Sequence, residues 1–105
     1  MGGTAAYHLG LLERIAQDWA GWVGRLKTPC GLSEPVGVFA RNGLRVGFMS
    51  RHGGSRLAKN PPSINYRANI YAAHLLGARA IISWNGVGAI NPVLKPGQLA
   101  VTGDL

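Results

Sequence analysis

Val36-Gly37-Val38-Phe39-Ala40 and Leu44-Arg45-Val46-Gly47-Phe48-Met49-Ser50 flank Arg41-Asn42-Gly43, and the architecture is read outward from this stretch. Asn-Gly between two apolar runs is the favoured two-residue hairpin turn, because both residues tolerate the positive φ that such a turn needs. The stretch therefore predicts a β-hairpin. Downstream, Arg51-His52-Gly53-Gly54 opens a polar segment that ends at Pro61-Pro62, where glycines and prolines forbid regular structure. A loop leaving a strand end is expected there.

Ser63 is placed to cap a helix over Ile64 to Leu76, and Gly77 to end it in the left-handed conformation. Arg79 to Trp84 then reads as a short apolar strand and Asn85-Gly86-Val87-Gly88 as a glycine-rich turn. Leu99 to Thr102 reads as a further strand after Pro96-Gly97. Upstream of the hairpin, Leu12, Ile15, Ala16, Trp19, Trp22, Val23 and Leu26 recur at helical spacing, which predicts an amphipathic helix over Leu9 to Leu26. Thr28-Pro29-Cys30-Gly31 and Ser33-Glu34-Pro35 form a breaker-rich loop between that helix and the hairpin. The order of elements predicts an α/β fold, a mixed sheet flanked by helices, in one partial domain over residues 1–105. With the Ile64–Leu76 helix as a crossover, the strands on either side of it would run parallel. Their carboxyl-end loops, Arg51-His52-Gly53 and Asn85 to Gly88, would then meet at one sheet edge, where open α/β sheets bind ligands.

Composition limits the classes of function. A chain of 105 residues is long enough for one domain that buries roughly 60 to 70% of its unfolded surface. Hydrophobic residues make up 47% and charged residues 14%, with only short apolar runs, which argues against both disorder and a membrane span. No secretory signal follows Met1, and the one cysteine, Cys30, has no internal disulfide partner, so a cytoplasmic location is expected. Eleven Lys and Arg against four Asp and Glu give a net charge of +7, which favours anionic partners. The basic residues are spread singly from Arg14 to Lys95, whereas nucleic-acid binders cluster them, so nucleic acid is disfavoured as a partner.

Arg51 offers a planar fork of donors matched to phosphate oxygens, and His52 adds a ring donor beside it. Gly2-Gly3 and Gly86 through Gly88 would let backbone amides approach a phosphate or purine closely, with the Thr4 hydroxyl beside them. Ordinary turn glycines next to a solvated Arg-His pair would look the same, and neither motif matches a P-loop or a full dinucleotide fingerprint. His8 and His74 have no partners at metal-ligand spacing, so no metal site is expected. Cys30 reads as a small apolar residue, and no nucleophile elbow supports a hydrolase triad.

Taken together, these blocks resemble the 5′-methylthioadenosine phosphorylase and purine nucleoside phosphorylase family. Met1-Gly2-Gly3-Thr4 is similar to its Ile-Gly-Gly-Thr phosphate loop, and Thr28-Pro29-Cys30-Gly31 with Ser33 to its Thr-Pro-aromatic-Gly-x-x-Ser segment. Arg51-His52-Gly53, Pro62 and Asn65-Tyr66-Arg67-Ala68-Asn69-Ile70 resemble its Arg-His-Gly loop and helix start. Asn85-Gly86-Val87-Gly88-Ala89-Ile90 with Lys95-Pro96-Gly97 is similar to its Asn-Ala-x-Gly-Gly turn and Pro-Gly. The blocks stand in the family's order along almost the whole chain, as its N-terminal half.

The resemblance implies phosphorolysis of a purine nucleoside such as 5′-methylthioadenosine or 5′-methylthioinosine to free base and sugar 1-phosphate. It implies inorganic phosphate as co-substrate, no other cofactor, and a homotrimeric full-length parent. Carried over by residue, Thr4, Arg51, His52, Asn85 and Gly86 would bind phosphate, and Val87 and Gly88 would lie near the nucleoside; no covalent catalytic residue is implied. The chain departs from the pattern where Ser55-Arg56 replaces a second loop histidine. The family's strand ahead of the Gly-Gly-Thr loop and its C-terminal half, with the aspartates that assist the leaving purine, have no counterpart here. The 105 residues alone are therefore expected to show little or no turnover, since each 1.36 kcal/mol of lost stabilisation is about tenfold in rate. An inactive remnant or interaction module of the same family is the alternative reading, ahead of a basic nucleic-acid-binding domain.

Overall fold

The computed structural model describes Met1, residues 18–53 and residues 59–104. Strands β1 (Asp18–Val23), β4 (Val36–Arg41) and β5 (Leu44–Met49) form a three-stranded sheet in the order β1-β4-β5. The short strands β2 (Lys27–Thr28) and β3 (Gly31–Leu32) pair with each other. A 3-10 turn at Pro61–Ser63 precedes the single described α-helix, α1 (Tyr66–Leu75).

The expected hairpin is present. β4 and β5 pair antiparallel with Val36 opposite Met49 and Arg41 opposite Leu44. Asn42 and Gly43 turn the chain at φ 50 and φ 73, the pair of positive angles that matches the twist of the flanking strands.

The helix expected over Leu9 to Leu26 is corrected where it can be seen. Residues 9–17 lie outside the described residues, but Asp18–Val23 is strand β1, antiparallel to β4 from Asp18 opposite Ala40 to Val23 opposite Val36. The register shifts between Trp19 and Gly21, and Gly21 adopts φ 98, which no right-handed helix accommodates. Trp19, Trp22 and Val23 suit a pleated surface at least as well as a helix, and Gly21 and Gly24 weaken a helix by about 1 kcal/mol each. The edge of β4 supplied the pairing that tipped the balance.

The start of α1 also differs from expectation. Ser63 closes the 3-10 turn, and Ile64 is extended at ψ 126, so the helical path breaks before the α-helix begins. Asn65 is the cap, its Oδ1 accepting the Ala68 N–H at 3.1 Å, the ordinary link from a cap to the third helical residue. The other end forms as expected: Gly77 stands at φ 78, its N–H donates to the His74 carbonyl at 2.9 Å, and Ala78 N–H donates to Ala73 O at 3.0 Å. This pair of bonds is the Schellman arrangement that uses up the last helical carbonyls.

The core lies between the hairpin and the helix. Val36 and Met49, directly opposite in the sheet, pack with Ala72, and Met1, Leu26, Val38 and Leu76 close around them. Ala68 and Ala72 are fully buried one turn apart, and their small side chains let α1 lie close on β2 and β3. The turn between β2 and β3 is pinned to the same helix. Thr28 Oγ1 donates to Gly31 O at 2.7 Å and accepts from Cys30 N–H at 3.1 Å, while Asn65 Nδ2 donates to Cys30 O at 2.7 Å. Gly31 is required there: it adopts φ 102, and a Cβ would stand 3.1 Å from Asn65 Nδ2.

The strands expected at Arg79–Trp84 and Leu99–Thr102 do not form. Trp84 is a single bridge residue; Ile82, Leu99 and Val101 are exposed. A strand exists only through a neighbour, and among the described residues the partner here is Met1 alone. The Met1 amine donates to Ile82 O at 2.6 Å, and Trp84 N–H donates to Met1 O at 3.0 Å. Two bonds that straddle one residue of the partner are the parallel pattern, so among the described residues this stretch shows a single rung of pairing, with Met1. Turns at Asn91–Leu94 and Lys95–Gln98 follow, the second built on Pro96 with Gly97 at φ 82.

Candidate functional site

β5 runs directly into a tight turn at Ser50-Arg51-His52-Gly53. Gly53 N–H donates to Ser50 O at 3.2 Å, and Ser50 Oγ donates to Gly53 O at 2.7 Å, so both ends of the turn are tied. This places Arg51 and His52 at its two central positions, both partly exposed.

The two side chains engage each other and the far end of the chain. Arg51 Nε–H donates to His52 Nε2 at 3.2 Å. An Arg51 Nη1–H donates to Asn85 Oδ1, across 34 residues of sequence. His52 Nδ1 stands 2.9 Å from Lys59 O. A carbonyl oxygen only accepts, so the ring proton resides on Nδ1 and Nε2 receives from Arg51. In this state the ring donor expected for an anion is directed at the backbone of Lys59. The Met1 amine also lies close: burial, and then the positive charge of Arg51, lower its pKa below the usual 8.0.

The predicted site residues thus divide. Arg51, His52 and Asn85 come together, and they do so without the parallel strand pair expected to align them. Gly86 follows Asn85 in exposed chain, and Val87 and Gly88 are exposed beyond it. Thr4, with Gly2 and Gly3, lies outside the described residues. Among the described residues no three His, Cys, Asp or Glu side chains gather as a metal group, and no helix is long and apolar enough to cross a membrane.

Behind the turn stands a polar cluster that sequence reading missed. Glu34 has only 2% of its side chain exposed and carries two cations, Arg25 at 3.3 Å and Lys59 in closer contact. Its backbone N–H donates to Asn69 Oδ1 at 2.8 Å. Ser33, fully buried, receives the Leu26 N–H at 3.0 Å and donates to the Glu34 carbonyl at 3.0 Å. A buried carboxylate is tolerated only when paired and hydrogen-bonded, and here Arg25 and Lys59 supply that pairing while Asn69 on α1 accepts the Glu34 backbone N–H. The available signal was scarcity: Glu34 is one of four acidic residues in the chain.

The phosphorylase superfamily model matches residues 15–105. The chain belongs to that superfamily. A probable S-methyl-5′-thioinosine phosphorylase of Methanothermobacter thermautotrophicus is 38% identical over 104 residues, 99% of this chain and 35% of its own. A probable 6-oxopurine nucleoside phosphorylase of Korarchaeum cryptofilum is 39% identical over 106 residues, 99% of this chain and 35% of its own. An S-methyl-5′-thioadenosine phosphorylase of Pyrobaculum aerophilum is 38% identical, covering 96% of this chain and 34% of its own. Among solved structures, a methylthioadenosine phosphorylase from an antarctic soil metagenomic library matches with a TM-score of 0.61 and 32% identity, over 78% of this chain and 26% of that one. The family and fold implied by the motif resemblance are therefore those found. The superfamily chain spans about a third of the length of these curated relatives, less than the half expected from its motifs.

Proposed function

We propose that this chain supplies the phosphate side of a purine nucleoside phosphorylase, acting on a nucleoside such as 5′-methylthioadenosine or 5′-methylthioinosine within a longer parent. The carrying observation is the Arg51–Asn85 bond, which joins the turn after β5 to the glycine-rich segment 34 residues away. In this reading Arg51, His52, Asn85 and Gly86 hold phosphate with Thr4, and Val87 and Gly88 adjoin the nucleoside. An oxygen of the held phosphate attacks the anomeric carbon, the bond to the purine nitrogen breaks, and its electron pair leaves with the base. Inorganic phosphate is consumed and no further cofactor enters. The fixed cationic fork serves this step by holding the nucleophile in line and by stabilising charge that shifts as the ribose gains oxocarbenium character. A cytoplasmic homotrimer is the assembly that goes with this reading.

Relatives named for 6-oxopurine, methylthioinosine and methylthioadenosine substrates match to similar degrees, which supports the purine nucleoside class and leaves the base open between them. The test is calorimetric titration of the purified chain with inorganic phosphate. One site that weakens at least tenfold on Arg51→Ala is expected; no binding, or binding indifferent to that change, overturns the reading. Release of base from methylthioinosine and methylthioadenosine, in phosphate and in phosphate-free buffer, then assigns the substrate in any polypeptide that carries this segment.

A further inference from the structure

Resting on the phosphate reading above, we propose that Lys59 and Glu34 are positioning residues that set the aim of Arg51 through the tautomer of His52. Lys59 clasps His52 from both sides. Its N–H donates to His52 O at 2.7 Å, and its carbonyl takes the His52 Nδ1–H at 2.9 Å. With the proton committed to Nδ1, the neutral ring presents a lone pair at Nε2, and that lone pair receives Arg51 Nε–H. The opposite tautomer would put two N–H donors face to face and expel Arg51 from its place.

Arg51 is thereby held at two points, at Nε by His52 and at Nη1 by Asn85. Two anchors on a rigid planar group fix its plane, so the remaining N–H groups face one direction before any anion arrives. What holds Lys59 is Glu34, through its side-chain ammonium. Glu34 is in turn held on several sides: it is buried, its backbone N–H is bonded to Asn69 on α1, and its other carboxylate oxygen is paired with Arg25. The order of the core is passed from Asn69 to Glu34, to Lys59, to His52, and so to the guanidinium. None of the first three needs to touch phosphate.

The experiment uses the 105-residue chain labelled with ¹⁵N, with the two ring nitrogens of His52 read by NMR in the absence and presence of inorganic phosphate. In the native chain they should show the Nδ1–H tautomer. Lys59→Met removes the ammonium while keeping the stem; it should abolish that signature and weaken phosphate binding about tenfold, as the misaligned Arg51 loses one charge-assisted contact to the anion. Lys59→Arg, which can still reach Glu34, should retain both. The tautomer is the deciding readout, because loss of a positive charge alone would weaken phosphate binding without changing it. Persistence of the Nδ1–H signature in Lys59→Met overturns the proposal. If that variant loses the Asn42-Gly43 hairpin resonances, Lys59→Gln is read by the same criterion. A native chain that binds no phosphate, yet whose His52 tautomer follows Lys59, would sink the phosphate reading and leave the positioning relay supported.

Discussion

Asn69 Oδ1 accepts the backbone N–H of Glu34 at 2.8 Å, joining the helix to the loop before β4 across 35 residues, with both residues buried. The bond fixes a carboxylate-bearing residue inside the domain, and among the described residues the Asn69 Nδ2 has no hydrogen-bond partner. Asn69→Ala would leave the Glu34 N–H without its acceptor in a buried site, so a loss of about 1–3 kcal/mol is expected. Asn69→Asp keeps the acceptor but places a second carboxylate beside Glu34, and should destabilise at least as much at neutral pH. Urea denaturation of the three chains at pH 7 checks both; equal midpoints would show that the bond contributes nothing.

Gly31 is the point at which the β2–β3 turn meets the helix cap. Gly31→Ala combines a left-handed backbone with a Cβ placed 3.1 Å from Asn65 Nδ2. A destabilisation of about 1–3 kcal/mol is expected from such strain. Because Asn65 caps the helix, amide exchange at Ala68 should accelerate more than exchange in the β4–β5 hairpin. Uniform acceleration across the two would contradict this local account.

Arg51→Lys keeps the charge but not the fork. A lysine cannot reach His52 Nε2 and Asn85 Oδ1 together while presenting further donors in one plane. Phosphate affinity is therefore expected to fall about tenfold, the equivalent of about 1.4 kcal/mol, with little change in the thermal midpoint. Titration calorimetry paired with a thermal melt separates the two quantities, and an Arg51→Lys chain that binds phosphate as well as the native one refutes a role for the fork.

The Met1 amine provides a pH test. Burial, and then Arg51, lower its pKa from the usual 8.0, so the folded chain binds fewer protons there than the unfolded chain. The sign follows: this group's contribution to stability is fully present above about pH 8, and falls as pH drops through the lowered native value. The rate of amine acylation against pH should show a midpoint below 8.0 in the native chain and move up in urea. Arg51→Met should raise the native midpoint part of the way, since burial remains.

Local chemistry was enough for the features whose causes lie within a few residues of one another. Asn42-Gly43 dictated the hairpin because both positive-φ positions are adjacent, and Gly77 dictated the helix end for the same kind of reason. The meeting of Arg51 with Asn85 was anticipated from the order of strand, helix and strand, and it arose by a route different from the parallel strands expected. Trp19 to Val23 carried apolar spacing compatible with two periods, and the open edge of β4 chose the strand. Ile81, Ile82, Leu99 and Val101 carry strand chemistry without strand structure, because a ladder needs a neighbour that no run of sequence supplies by itself.

The Arg51-His52 turn returns the same division at the scale of single atoms. That an arginine and a histidine stand together at a strand end, in a chain rich in positive charge, is a matter of sequence alone. Which ring nitrogen holds the proton, and where the guanidinium points, depends on the carbonyl of Lys59 and the side chain of Asn85. A hydrogen bond is decided within a few tenths of an ångström. Such distances between segments 34 residues apart exist only once hairpin, helix and buried Glu34 have packed into one body.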